Sequence, residues 1–141
     1  MATTRKATTT WNGGLAEGNG KVALQSSGIG TYDVSWAARS EEPNGKTSPE
    51  ELIAAAHSSC FSMALSNVLG KQDHPPTTLE TSAEVDFTPG KGITQIRLRV
   101  RGSVDGVDNE TFVAAAEDAK VNCPVSQALT GVEITLDAAL A

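Results

Sequence analysis

The clearest pattern in the chain is a long apolar stretch, residues 52–69, preceded by a helix-start signal. Ser48 can cap the helix, Pro49 fits the first helical position and Glu51 completes a capping box. A helix that is apolar nearly all round is buried on most of its faces. In a chain of 141 residues such a helix needs a partner, and a second copy of the chain across a two-fold axis is a reasonable candidate.

A β-hairpin follows from strict alternation after this helix. Apolar positions alternate mainly with acidic ones over residues 79–87 and with arginines over residues 96–101; this is the period of a strand. With Pro89–Gly92 as the turn, Val85 lies opposite Ile96 on the apolar face. The same register brings Glu84 opposite Arg97 on the polar face, so one pairing satisfies both faces.

The remaining patterns complete an α+β order. Three β-favouring runs separated by glycines indicate a meander: Ala7–Trp11, Lys21–Gln25 and Thr31–Trp36. A polar loop is expected at Ala37–Lys46. One helix is expected at about Asp108–Val121 and a short one after Cys123-Pro124, and a closing strand is expected at Val132–Ala138. Because strands and helices are segregated, the order predicts one α+β domain, residues 1–141, with antiparallel pairing and not a doubly wound parallel sheet.

Composition and charge narrow the function classes. The chain is 39% hydrophobic, enough for one modest core, and its net charge of −6 disfavours binding to phosphate backbones or anionic lipids. The amino terminus lacks the apolar segment of a signal peptide, and no stretch is expected to reach the roughly 20 apolar residues of a membrane span. These features predict a cytoplasmic protein with no nucleic-acid or membrane partner.

Two cysteines, Cys60 and Cys123, carry the candidate chemistry. In a reducing cytosol a disulfide is more often catalytic or sensory than structural. Cys60 lies within the apolar helix, where burial raises the pKa of a thiol and makes it inert unless a cation is brought to it. Cys123 precedes Pro124, so it stands at a helix start, where backbone N–H groups favour a thiolate. Local chemistry thus makes Cys123 easier to activate.

Other arrangements of these residues remain open. His57 shares a helix face with Cys60, which allows a Cys-His hydrolase dyad, although no orienting third group is evident. A zinc site would need Cys60, His57, Cys123 and His74, which lack the close pairs typical of such sites. Arg39, on the loop before the helix, is an ordinary surface arginine or the cation that stabilises a thiolate.

Two motifs and a tail carry a family resemblance. They are Thr47–Leu65, containing Ala-His-Ser-Ser-Cys-Phe-Ser-Met, then Cys123–Gln127, and finally Glu133–Asp137. They resemble the OsmC/Ohr family of thiol peroxidases, the osmotically induced and organic hydroperoxide resistance proteins, and more closely its OsmC branch. The resemblance spans essentially the whole chain. It implies the OsmC-like fold: antiparallel sheets around a long central helix, in an intertwined homodimer.

The resemblance also implies an activity and its residues. The family reduces organic hydroperoxides, and hydrogen peroxide less well, in the response to oxidative stress. Carried over, Cys60 is the peroxidatic cysteine, Cys123 the resolving cysteine, and Arg39 and Glu50 the charged pair that organises the site. A Cys60 sulfenic acid condenses with Cys123 to a disulfide. The alternative is a non-enzymatic redox sensor or binding protein on the same fold.

The same resemblance implies which cofactors and partners the protein uses. It implies no bound cofactor and no metal, but an external dithiol reduces the disulfide by exchange. In the Ohr branch that reductant is typically dihydrolipoamide, so dihydrolipoamide or a lipoylated protein is the expected partner.

The spacing of Glu50 and Cys60 limits how they can share a site. Ten positions on one straight helix correspond to roughly 15 Å at about 1.5 Å per residue, so the two side chains cannot touch. Either Arg39 reaches from one toward the other, or Glu50 joins a site whose cysteine belongs to the second subunit.

Overall fold

The computed structural model describes all residues, 1–141. They form two compact units, Met1–Leu52 and Ile53–Ala141. The strands are β1 Thr8–Asn12, β2 Asn19–Ala23, β3 Thr31–Val34, β4 Thr78–Thr88, β5 Gly92–Ser103 and β6 Glu133–Leu140. The helices are α1 Trp36–Ser40, α2 Pro49–Lys71, α3 Asn109–Asn122 and α4 Pro124–Ala128. The α+β class is confirmed, while the assignment of a single domain stays a prediction.

The first unit is an antiparallel meander, in the order β1-β2-β3, followed by a short helix. The meander was predicted from the glycine-separated runs. Helix α1 was not, because Ala37–Lys46 was expected to be a polar loop. Ser35 starts this helix by accepting the Ala38 N–H at 3.1 Å, the geometry of a serine N-cap. The prediction is therefore wrong for the first part of that segment.

Helix α2 begins at Pro49 as predicted. The Ser48 hydroxyl accepts the Glu51 N–H at 3.1 Å. Glu51 itself accepts the Thr47 hydroxyl at 2.6 Å, so the observed capping differs from the expected box in its second half. A serine cap and a proline at the first position fix where the helix starts.

The second unit contains the sheet β4-β5-β6. The predicted hairpin register is confirmed, with Val85 opposite Ile96 and Glu84 opposite Arg97, and a bulge follows at Asp86. Strand β6, however, lies parallel to β5, so the expectation of antiparallel pairing fails for this pair. Helices α3 and α4 lie between β5 and β6 in the chain, and parallel neighbours require such a crossover connection.

The core of the second unit is formed by one face of α2, the inner face of β5 and one face of α3. Its buried members are Phe61, Leu65, Leu69, Leu98, Val100, Phe112, Ala115, Ala116, Ala119 and Cys123. The other face of α2 is uncovered in the single chain: Met63 is 72% exposed. Burial of α2 on most faces is thus incomplete without a further partner.

Helix α2 is also long and apolar enough to cross a membrane by length and composition alone. The expectation that no stretch reaches this size was therefore wrong. Core helices of soluble proteins pass the same test, and α2 supplies Phe61, Leu65 and Leu69 to the core of the second unit.

Candidate active site

The two cysteines meet within the second unit. Cys60 is half-buried on α2, Cys123 is fully buried at the junction of α3 and α4, and both are free thiols. Their side chains are hydrogen-bonded to each other, and both belong to the apolar cluster around α2. Two residues 63 positions apart in the sequence are therefore close enough for direct thiol chemistry.

Local backbone geometry explains the position of Cys123. Its N–H closes α3 by donating to the Ala119 carbonyl at 2.8 Å. Its own backbone is extended, with φ −59° and ψ 123°, because the following residue is Pro124, which disfavours helical geometry before it. Cys123 thus occupies the N-cap position of α4 as predicted, but its thiol makes no capping hydrogen bond. The side chain contacts Cys60 instead.

The surroundings of Cys60 oppose ionisation. Burial raises the pKa of the Cys60 thiol, and its hydrogen bond with Cys123 adds to that effect, while a backbone hydrogen bond from Val125 acts in the opposite direction. A thiol with a raised pKa is a weak nucleophile, since the thiolate is the reactive form. The expectation that Cys60 needs a cation supplied from elsewhere is consistent with this.

His57 does not provide that cation. Its ring is buried, and its Nε2 lies 2.8 Å from the Ser126 hydroxyl oxygen. Burial lowers the pKa of His57, so the imidazole is neutral at physiological pH. Its Nδ1 is buried without a partner. The ring contacts the Ser126 hydroxyl and not the Cys60 thiol, which argues against the hydrolase dyad.

The zinc alternative also lacks geometric support. No group of three or more histidine, cysteine, aspartate or glutamate side chains converges on a common point in the chain. The Nδ1 of His74 instead lies 3.1 Å from the Asp105 carbonyl oxygen. The four residues considered for zinc therefore do not form a site.

Arg39 and Glu50 form an ion pair within the first unit. The Nε of Arg39 donates to both carboxylate oxygens of Glu50, at 3.0 and 3.1 Å, and its Nη2 donates to Oε2 at 2.9 Å. Glu50 is 6% exposed. A carboxylate this buried requires such a partner. Helix α1 and the first turn of α2 hold the two side chains, so the charged pair expected from the sequence exists as a pair.

A largely apolar cavity of about 440 Å³ lies beside Arg39 in the first unit. Its lining consists mainly of bulky apolar side chains, together with a few polar ones: Thr9, Trp11, Leu15, Val22, Val34, Ser35, Trp36, Arg39, Pro49 and Leu52. Arg39 thus adds one positive charge to a mainly apolar lining.

Sequence reasoning overlooked Ser126 and Val125. Both lie in the first turn of α4, directly after Cys123-Pro124. A serine three residues beyond a helix-capping position is a weak signal, because serine is common at helix starts for capping alone. Only the fold brings His57 to it, across 69 positions.

The fold consists of two small sheets and one long helix, and it brings two free thiols together. The family model described as "OsmC-like protein" matches residues 42–137. The "Peroxiredoxin OsmC" of Escherichia coli (strain K12) is 41% identical over 140 residues, covering 97% of this chain and 96% of the relative. The chain therefore belongs to the OsmC-like family.

Solved structures agree with this fold. An organic hydroperoxide resistance protein from Elizabethkingia anophelis matches with a TM-score of 0.73 and 26% identity, covering 100% of both chains. The organic hydroperoxide resistance protein OhrB of Bacillus subtilis matches with a TM-score of 0.70 and 25% identity, covering 94% of this chain and 97% of its own. Both resemblances extend across both units.

Proposed function

We propose that this protein is a thiol-dependent peroxidase that reduces organic hydroperoxides to alcohols through Cys60 and Cys123. Family membership and the 41% identical peroxiredoxin relative support a peroxide-reducing redox enzyme. The observation that supports the two-cysteine mechanism is the hydrogen-bonded contact of the two free thiols. A pair that is already in contact can form a disulfide with little movement of the backbone.

The reaction balances with one hydroperoxide and one dithiol. The Cys60 thiolate attacks the terminal oxygen of the O–O bond, which breaks and releases an alkoxide that takes a proton and leaves as alcohol. Cys60 becomes a sulfenic acid, having lost two electrons. The Cys123 sulfur then attacks the Cys60 sulfur, and the hydroxyl leaves as water. The Cys60–Cys123 disulfide is reduced by exchange with an external dithiol, which ends as its own disulfide.

Arg39 is the cation that this mechanism requires. A guanidinium is always charged and lowers the pKa of a nearby thiol. Glu50 fixes its direction through three hydrogen bonds. Glu50 and the cysteine of the same chain are ten positions apart on α2, roughly 15 Å along the helix. This spacing favours an arrangement in which the pair completes the site of a second chain.

The uncovered face of α2 supports the homodimer that this arrangement needs. Met63 is 72% exposed on a helix whose opposite face fills the core. Two copies related by a two-fold axis would cover this face with the same residues from each chain. The proposed dimer would thus bring Arg39 of one chain to Cys60 of the other and would also cover the outer face of α2.

The cavity beside Arg39 supports organic substrates over hydrogen peroxide. Its lining is mostly apolar and includes Trp11 and Trp36. Burying an alkyl or aryl group there contributes about 0.8 kcal/mol per CH₂, a gain that hydrogen peroxide cannot make. The dithiol reductant, dihydrolipoamide or a lipoylated protein, and a cytoplasmic location complete the proposal, since cytosolic dithiols keep such an enzyme reduced.

A peroxide-consumption assay with a dithiol reductant tests this function. The purified protein should consume cumene hydroperoxide at least tenfold faster, in kcat/KM, than hydrogen peroxide. Cys60→Ser should abolish both activities, while Thr81→Val, which removes a hydroxyl bonded to Ser62 on α2, should keep them. Full activity in Cys60→Ser would refute the proposal. A protein that is oxidised once but does not turn over would instead favour the redox sensor.

A further inference from the structure

One buried polar contact joins the two elements that carry the cysteines. His57 lies on α2 three positions before Cys60, and Ser126 lies on α4 three positions after Cys123. The imidazole Nε2 and the Ser126 hydroxyl are 2.8 Å apart. The side chains are 0% and 5% exposed. This contact, here termed the α2–α4 tie, lies beside the thiol pair and plays no part in the reaction steps above.

Val125 lies between Cys123 and Ser126 in the sequence and links the α2–α4 tie to the thiol pair. Val125 precedes Ser126 and gives Cys60 the backbone hydrogen bond that favours its thiolate. Cys123 lies two residues before Val125, in contact with Cys60. One short turn, Cys123–Ser126, therefore supplies the resolving thiol, the donor to Cys60 and the anchor to His57.

Packing alone does not explain a histidine at position 57. One of its two ring nitrogens, Nδ1, is buried with no partner, and an unpaired buried polar atom is unfavourable. An apolar side chain of similar size would fill the space without that cost. The polar contact to Ser126 is what the imidazole adds.

We propose that His57 and Ser126 are positioning residues that hold the first turn of α4 so that the Val125 N–H and the Cys123 thiol face Cys60. His57 acts as a neutral hydrogen-bonding group and exchanges no proton with the substrate. The tie thus supports the reactivity of Cys60 and its capture by Cys123. The role in capture by Cys123 rests on the peroxidase function proposed above, while the role in the reactivity of Cys60 does not.

The first test measures the reactivity of Cys60 without any peroxide. In a Cys123→Ser background Cys60 is the sole thiol, and its rate of alkylation by iodoacetamide is followed from pH 5 to 10. Ser126→Ala and His57→Leu should each lower the rate at pH 7 about fivefold, the scale of one net hydrogen bond, and move the titration to higher pH. Thr81→Val, which removes another hydroxyl contact to α2, should stay within twofold of the parent.

His57→Gln separates positioning from base catalysis. The glutamine amide can replace Nε2 as the partner of Ser126 but cannot act as a base. It should restore the alkylation rate to within twofold of the parent, whereas a proton-transferring histidine would leave glutamine as poor as leucine. Ser126→Ala removes only one oxygen atom, so it still tests the contact if His57→Leu does not fold. An unchanged profile in Ser126→Ala overturns the proposal.

The second test measures capture in chains that retain Cys123. After one equivalent of cumene hydroperoxide, the fraction of Cys60 that becomes sulfinic acid instead of disulfide should rise at least threefold in Ser126→Ala. An equal fraction in Ser126→Ala and the parent contradicts the role in capture. A parent that does not react with peroxide refutes the peroxidase function alone, because the alkylation profile does not depend on it.

Discussion

At the scale of single residues, Glu50 is a buried carboxylate that holds Arg39. It is the one buried charged side chain in the structure, and its carboxylate directs Arg39 through both of its oxygens. Cys60, by contrast, has a pKa raised by burial. In the proposed mechanism, the positive charge of Arg39 supplies the thiolate stabilisation that the surroundings of Cys60 lack.

Arg39→Ala tests that complementarity. We expect kcat/KM for cumene hydroperoxide to fall by about two to three orders of magnitude, the scale of losing a positioned electrostatic group. Because the change also leaves Glu50 buried without Arg39, the double variant Arg39→Ala/Glu50→Gln is the matched control for folding. It should unfold at higher urea than the single variant and remain as inactive. Activity within twofold of the parent would remove Arg39 from the site.

The burial and capping position of a cysteine could be predicted from sequence only where its neighbours in the chain determine them. The burial of Cys60 follows from the apolar helix around it, and the N-cap position of Cys123 follows from Pro124. The contact between the two thiols and the pairing of His57 with Ser126 depend on the fold. Without the family resemblance, local chemistry would have ranked Cys123 as the more reactive thiol.

At the scale of elements, the hairpin β4–β5 was the most predictable part. Its period of two and its opposed acidic and basic rows admit a single register. Helix α2 was marked by a cap, a proline and a long apolar run. Helix α1 has only five residues, too few for a periodic signal. The direction of β6 is not encoded in its own residues, because pairing direction depends on where the α3–α4 connection returns the chain.

Gly102 shows how tightly β5 packs against α3. A methyl group at this position would lie 2.6 Å from two ring atoms of Phe112 and 3.0 Å from Leu79. Gly102→Ala should therefore lower the free energy of unfolding by roughly 1–3 kcal/mol, as overpacking does. Gly70→Ala is the control, because its methyl group meets nothing within 4 Å and alanine favours a helix by up to about 1 kcal/mol. Equal urea midpoints for the two variants would contradict this packing.

At the scale of the whole molecule, the proposed mechanism needs two copies of the chain. The outer face of α2 is uncovered, and Glu50 and Cys60 lie ten positions apart on α2. The proposed dimer would cover this face and supply Arg39 from the second chain. The dimer was inferred from the all-apolar pattern of α2 and not from composition, and it stays a prediction.

Met63→Lys tests the dimer. The parent should sediment at twice the 14.6 kDa of one chain, and a lysine at an apolar two-fold interface should shift the protein toward monomer, because burying an unpaired charge is costly. Peroxidase activity should fall in parallel at low protein concentration, while Met63→Leu should preserve both mass and activity. A fully active monomer in Met63→Lys would show that each chain builds its own site.

Mixed dimers then assign Arg39 to a subunit. Cys60→Ser and Arg39→Ala chains, each inactive alone, should regain activity when combined, because the intact Arg39 of the first serves Cys60 of the second. Mixtures as inactive as the separate variants would place Arg39 and Cys60 in the same chain.

The most direct measurement is the intact mass of the reduced protein after one equivalent of cumene hydroperoxide. A two-cysteine peroxidase loses two hydrogens as Cys60 and Cys123 form a disulfide, and a dithiol restores the original mass. In Cys123→Ser the disulfide should be absent, and the mass should rise by one oxygen or its overoxidised products. An unchanged mass in the parent protein would contradict the peroxidase mechanism.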